Sequence, residues 1–495
     1  MTQLADHDQG LRRGAIGLRE VLLQSITAMA PGAAIAASIP AGAAFAGGAL
    51  PLAVIVAMVA CLFAALSIAE LARHLPAAGS VATYSSRGLH PIVGFLVAWG
   101  YVFVEALVPT LLFLQLGFTT AGTLHAQWHG YPANLWWPWA LLGALIVGVA
   151  GFWGARVSAT MGTILGAFEI VVFVVLAALL IIKSGGANTL SVFGTSHTPA
   201  GHLGFTGVIA GSVYTVLAFS GFEAAAPLAE ETKDPRRTIR KAVVGATLGI
   251  GIVYIFTTYA VSVFVGPDKF ASFGTDGPLS WEGIARSSYG LFWVLVFFAI
   301  INSTIANANA GANVSTRTAY ALARVGIFPK ALTRIHPVHR SPVVAIGVQF
   351  VIAVVVTLFL GFFYDPVTAF VLVATVIVVV VVAVYIVVNA ACIGFFTRFR
   401  RNEFNWIMHL VFPVLGIAAF VPALLVAAGL PVFSFVTPLT PPISYAGPIV
   451  GGWMLIGLVY LAFLWKRHRQ RVVDTGLVHL DAAETPEEVP VEGVQ

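Results

Sequence analysis

Twelve times along its 495 residues the chain runs for about twenty residues or more through predominantly apolar sequence, the length a helix needs to cross a bilayer. Approximate limits are 20–46, 49–72, 91–122, 134–153, 158–183, 205–229, 241–266, 290–314, 342–363, 365–396, 405–430 and 446–465. Inside lipid every backbone N–H and C=O needs a partner within the chain, so runs of this length predict helices and an all-α membrane protein with twelve transmembrane helices. Charge agrees: only 9% of residues are Asp, Glu, Lys or Arg and mean hydropathy is +0.92, against roughly 25% charged residues in a soluble domain. A cytosolic enzyme is excluded. The first span is too long for a signal peptide and is expected to be retained. The net charge of +5 is scattered over many loops, which points away from nucleic acid. Cys61 and Cys392 stand within apolar spans and read as buried fillers.

Orientation follows from the basic residues. With twelve spans, 23 of the 26 Lys and Arg fall on one side, and only Lys183, Lys269 and Arg286 on the other. Both termini are therefore expected in the cytoplasm, with the chain in the plasma membrane. Residues 1–19 form a cytoplasmic lead-in. Residues 470–495 carry acids and prolines without an apolar period and read as a disordered cytoplasmic tail. Asp234-Pro235 resembles a helix start, predicting a short surface helix with Arg236, Arg237 and Arg240 ahead of span seven. Those arginines read as charges facing water and lipid headgroups.

Because a charge inside the bilayer costs several kcal/mol unless it faces a cavity or a partner, by order of magnitude, the polar residues within spans carry the information. Glu105 lies in span three, Glu169 in span five and Glu223 in span six; Glu70 ends span two with Arg73 in pairing reach. The twelve histidines sit in loops, tails or span edges, with no metal-like cluster and no nucleophile–base pair, so neither a metal, a cofactor nor an enzymatic activity is expected. Two spans carry helix breakers in mid-membrane: Thr27-Ala28-Met29-Ala30-Pro31-Gly32-Ala33-Ala34 in span one, and Leu217-Ala218-Phe219-Ser220-Gly221-Phe222-Glu223 in span six. These open two five-span halves, 20–183 and 205–396, which an odd span number sets in opposite orientation; spans at 405–465 follow. Broken helices at matching positions of inverted halves point to a transporter's binding site. In span eight Asn302, Asn309, Asn313 and Arg317 share one face and Asn307 points elsewhere. That stripe faces either the bundle interior or a neighbouring helix.

These features resemble the amino acid–polyamine–organocation transporters over about residues 15–465. The resemblance rests on Ala69-Glu70-Leu71-Ala72-Arg73-His74-Leu75-Pro76-Ala77-Ala78-Gly79-Ser80 with Tyr84 after span two. It rests also on Gly221-Phe222-Glu223 with Glu230-Glu231-Thr232-Lys233-Asp234-Pro235-Arg236, and on Arg317 with Arg324-Val325-Gly326-Ile327-Phe328-Pro329. It implies a leucine-transporter-like core of five plus five inverted helices, two further helices, and alternating access. By resemblance, a substrate carboxylate meets the N–H groups of Gly32, Ala33 and Ala34, and an ammonium meets carbonyls of Ala30, Leu217, Ala218 and Ser220 beside Gly221. Glu105, Glu169, Glu223, Asn302 and Asn307 are candidates for gating or coupling. Some proton-coupled members place a lysine in span five; aligned from Arg156, this chain has Glu169 there. Glu169 then reads as a proton carrier, a sodium ligand or a structural carboxyl. The expected function is secondary active transport of a small amino acid or related amine, with proton or sodium as coupling ion. The alternative is a polyamine, ethanolamine or choline-like cation carrier, and an ion channel is a lesser rival. Expected partners are the substrate, the coupling ion and the bilayer; the sequence sets no oligomeric state.

Overall fold

The computed structural model describes residues 16–476 apart from 76–78, 129, 133, 154, 275–276, 337–340, 431 and 433–438, and not the side chains of 153, 155–165, 227, 230 and 231. Most of the N-terminal lead-in, the acidic tail beyond 476, Pro76-Ala77-Ala78 and the side chains of Arg156, Glu230 and Glu231 thus lie outside the described residues. Among the rest, all regular structure is helical, with one isolated bridge from Ile16 to Thr232.

Among the described residues eleven helices are long and apolar enough to cross a membrane: Leu18–Ala41, Ala43–His74, Pro91–Gln127, Gly166–Ala187, Phe205–Ala226, Pro235–Val265, Phe292–Arg324, Val343–Tyr364, Pro366–Arg398, Ile407–Ala427 and Ile443–Arg467. The twelfth, span four, is the 17-residue helix Trp137–Trp153. At a rise of about 1.5 Å per residue it is roughly 25 Å long, a little under the about 30 Å hydrocarbon core, and Trp136, Trp137 and Trp139 at one end suit the interface. The first boundary differs from the expected one: the membrane-length run of span one ends at Ala41 rather than 46, although Gly42 keeps helical dihedrals (φ −76°, ψ −16°), a short helix Ala43–Ala46 follows, and the sharp turn comes at Gly47 (φ 54°). A Cβ on Gly42 would stand 2.9 Å from the Gly211 carbonyl oxygen, so this stretch is packed too tightly against span six for a side chain there.

The most extensive helix pairings join span two to span seven and span three to span eight. Span one packs on span seven as span six packs on span two; span three packs on span ten as span eight packs on span five. This pattern maps onto itself when each span is exchanged with the one five places along. Small residues allow the close approach: Ala53, Ala57, Ala60 and Ala64 line span two with essentially no exposure.

Two local expectations are corrected. Asp234-Pro235 does not start a separate surface helix; Pro235 is the first residue of span seven itself, which runs unbroken to Val265. Asp234 takes a left-handed φ of 44° and makes no side-chain cap. The segment after 470, read as tail, stays folded to Gly476: Val472 is fully buried, Arg471 Nη1 donates to the Gly326 carbonyl at 2.9 Å, and Arg87 Nε donates to the Gly476 carbonyl at 2.8 Å. One valine anchors that turn, too short a signal to show as apolar periodicity. Cys61 and Cys392 are buried free thiols.

Candidate functional site

Both mid-membrane breaks are present. Span one stops at Met29, Ala30 turns left-handed (φ 45°), and Pro31 restarts the helix from its first position. Proline is tolerated there because its missing N–H would have had no partner. The break thus falls one residue before the Pro-Gly pair. A π-helical turn follows at Ala34–Ser38. Span six ends at Phe219, Ser220 is extended, Gly221 takes φ 108°, and a 3₁₀ segment Phe222–Glu231 continues.

Freed backbone groups need partners away from water, and side chains from distant spans supply them. Tyr254 of span seven places its hydroxyl 3.1 Å from the Met29 carbonyl and 3.0 Å from that of Ala218, between the two breaks. Ser25 donates to Phe222 O at 2.7 Å, Gln115 of span three to Ala33 O at 3.0 Å, and the Trp281 indole to Ile35 O at 2.9 Å.

Between the breaks lies a cavity of about 50 Å³. By the measure in which one water takes roughly 10–15 Å³ it holds only a few waters, so substrate entry requires it to widen. Ala30, Ala33 and Ala34 border it from span one, and Leu217, Ala218, Ser220 and Gly221 from span six. Glu105, Glu223 and Asn307 reach it as well. Glu223 is 1% exposed; its Oε2 accepts from Tyr385 Oη at 2.8 Å and from the Gly221 N–H at 3.1 Å. No Lys, Arg or His lines the cavity among the described residues.

Three expected residues lie elsewhere. Gly32 faces the opposite side of span one, where a Cβ would stand 3.1 Å from each of Glu169 Oε2, Ser303 Cβ and the Ala299 carbonyl oxygen. Glu169, 2% exposed, therefore sits behind the break against Gly32 and Ser303, and its Oε2 makes no well-formed hydrogen bond among the described residues. Asn302 is also outside the cavity lining. In span eight the face that meets the cavity carries Asn307, Ala310, Gly311 and Val314, not the Asn302–Asn309–Asn313 stripe. Asn313 borders a separate cleft shared with Gln349. The Ala34 N–H is already spent on the Ala30 carbonyl at 2.8 Å. This leaves Gly32 and Ala33 as the amides opening the half-helix, and only Ala33 borders the cavity. Gln115 and Tyr254 were not singled out from sequence: each is one of several uncharged polar side chains in its span, and only its contact across the bundle distinguishes it.

Eleven membrane-length helices and a shorter apolar one among the described residues, two of them broken around a shared buried cavity, describe a multi-pass membrane transport protein. The comparisons name its kind. The profile of the amino acid permease family matches residues 20–472, and the chain belongs to that family, within the amino acid–polyamine–organocation superfamily. It is similar to the low-affinity putrescine importer PlaP of Escherichia coli (strain K12), 27% identical over 86% of this chain and 88% of the relative. It is also similar to the branched-chain amino acid permease BcaP of Bacillus subtilis (strain 168), 28% identical over 61% of this chain and 66% of the relative. A third relative is the mouse cationic amino acid transporter 4, 28% identical over 64% of this chain and 50% of the relative. The family and these relatives are transporters, not enzymes.

Proposed function

We propose that the chain is a secondary transporter that carries a small organic amine by alternating access, the substrate resting between the breaks of spans one and six. One observation carries the reading: two buried carboxylates, Glu105 and Glu223, border a cavity lined by no basic side chain among the described residues. Buried charge needs a partner, and a substrate with one or two ammonium groups supplies it. The putrescine importer among the relatives supports the same chemistry. Residues 20–183 and 205–396 are the two inverted halves in this reading, followed by the helices within 405–465.

A second reading, a small amino acid, is favoured by the Ala33 amide at the cavity-facing start of a half-helix, an arrangement suited to a carboxylate. Counterflow in proteoliposomes loaded with putrescine separates the two. Challenge with the pairs ornithine and putrescine, then lysine and cadaverine, should show the decarboxylated member competing better. Preference for the intact amino acid would establish the second reading instead.

Both termini are proposed to face the cytoplasm of the cell, on the strength of the 23-to-3 basic asymmetry. Because Cys61 and Cys392 are buried, introduced cysteines can be read without background. In sealed cells Asn188→Cys should react with an impermeant maleimide and Arg237→Cys should not. The reverse pattern would invert the topology.

Glu169 is proposed as the coupling group, with proton as the coupling ion. It stands directly behind the span-one break, so its protonation would be felt at Gly32. Glu169→Gln keeps the shape and cannot ionise. It should lose accumulation driven by an imposed proton gradient while retaining substrate-for-substrate exchange. Undiminished proton-driven accumulation by the variant would remove Glu169 from the role, and loss under a sodium gradient alone would assign it to sodium.

A further inference from the structure

Hydrogen-bond acceptors dominate the cavity between the breaks. Glu105 and Glu223 border it with two carboxylates, and Ser38, Ser220, Gln115 and Asn307 add uncharged polar groups. Ser220 Oγ already donates to the Leu217 carbonyl at 2.8 Å, so it has only lone pairs left to offer a ligand. Gln115, 1% exposed, donates from Nε2 to the Ala33 carbonyl at 3.0 Å. That bond fixes the amide and keeps Oε1 as an acceptor. Asn307 is half-buried on the face of span eight that meets the cavity, and its side-chain amide makes no hydrogen bond among the described residues.

Aromatic surface is missing. No Phe, Tyr or Trp lines the cavity among the described residues. The two tyrosines that serve the site reach it by hydroxyl and turn their rings to other rings. Tyr254 meets Phe219 edge-on with centroids 5.3 Å apart, and Tyr385 packs between Phe222 and Phe420 at 5.0 and 5.4 Å. The apolar walls are aliphatic instead: Val104, Val108, Leu111 and Leu112 from span three, Ile377 and Val381 from span ten. Such walls suit methylene groups. A quaternary ammonium has no N–H and is ordinarily held against the faces of aromatic rings, a surface this cavity lacks. A primary ammonium has three N–H donors and calls for three acceptors. A ligand without those donors would displace water from the acceptors and leave them bare, the situation in which a site rejects a near-isosteric analogue most strongly.

We infer that the site selects primary ammonium groups on an aliphatic chain and rejects N-methylated and quaternary ones, with Asn307 and Gln115 reading the N–H groups. Attraction to Glu105 and Glu223 depends on charge, which methylation leaves intact. The neutral acceptors respond to hydrogen. The inference rests on the amine reading above and narrows it, removing choline-like cations from the substrate class.

The test uses purified full-length protein in proteoliposomes loaded with putrescine, challenged with a series at constant charge: putrescine, its N-methyl and N,N-dimethyl forms, and its bis(trimethylammonium) analogue. Competition in counterflow should weaken at each methylation, to roughly 100-fold for the bis-quaternary member. Asn307→Leu separates hydrogen bonding from bulk, because it keeps the size of the side chain and removes its polar atoms. The variant should bind putrescine roughly tenfold more weakly in calorimetry and the bis-quaternary analogue as wild type does, so the ratio between them shrinks. Equal competition by the two ligands in wild type would overturn the selectivity while leaving the amine reading intact. An unchanged ratio in Asn307→Leu would overturn the hydrogen-bond origin and assign the discrimination to size. Failure of every amine in the series to compete, where an amino acid does, would defeat the amine reading and this inference with it.

Discussion

Glu223→Gln is expected to lower the apparent affinity for a cationic substrate by on the order of 100-fold, because removing one partner of a buried, hydrogen-bonded charge pair costs about 2–5 kcal/mol. The fold should survive. The glutamine carbonyl can still accept from Tyr385 Oη and the Gly221 N–H, the bonds that Glu223 Oε2 accepts now. What is lost is the charge. Glu105→Gln should act in the same direction, and the double variant should fall short of the product of the two effects, since neighbouring groups that share a ligand are not independent. Binding measured calorimetrically on purified protein separates affinity from transport rate. If Glu223→Gln binds putrescine as wild type does, the carboxylates are structural and the amine reading fails. If it instead improves binding of an amino acid, the second reading gains.

Gly221→Ala should abolish transport while leaving protein inserted in the membrane, and Gly221→Val should do the same with lower yield. Glycine is required there twice over. Its φ of 108° is one that L side chains rarely adopt, and a Cβ would stand 2.6 Å from the Ala28 carbonyl oxygen and 2.7 Å from its carbon. Both are backbone atoms of span one, so relief requires the two breaks to separate. Gly32 offers a graded comparison. A Cβ there meets three atoms at 3.1 Å, one of them the movable end of Glu169. Gly32→Ala should therefore retain measurable uptake where Gly221→Ala does not. Uptake normalised to surface protein, with insertion checked by protease protection, reads both. Transport by Gly221→Ala near the wild-type rate would show that the approach of the breaks is not needed.

The spans were legible because lipid leaves few alternatives to helices for long apolar runs, and the breaks because Pro31-Gly32 and Gly221 stand at matching positions of the two halves; breakers alone do not suffice, since Pro109 lies within the continuous helix Pro91–Gln127. Register was less legible. The left-handed residue is Ala30, which has no sequence mark, since proline's preference for the first turn pushes the break one position upstream. Helical periodicity gathered Asn302, Asn309 and Asn313 onto one face but could not say which neighbour that face meets. The cavity meets the face of Asn307 instead. Glu169 was legible only as a carboxyl within span five; that it lies against Gly32 of span one depends on how span five packs against spans one and eight. The folded turn to Gly476 escaped because its anchor is one valine and its hydrogen bonds run to residues far earlier in the chain.

The hydroxyl of Tyr254 has a mechanical consequence. It bridges carbonyls of both discontinuous helices from a third helix that is itself packed along span two. Were spans one and six to swing separately, that hydroxyl would leave one carbonyl bare in a water-poor interior, at about 1–3 kcal/mol per stranded group. Motion that carries spans one, six and seven as one piece incurs no such penalty. The substrate's immediate surroundings would then travel almost unchanged while the walls on either side open and shut, and the flexing would fall at joints outside this trio.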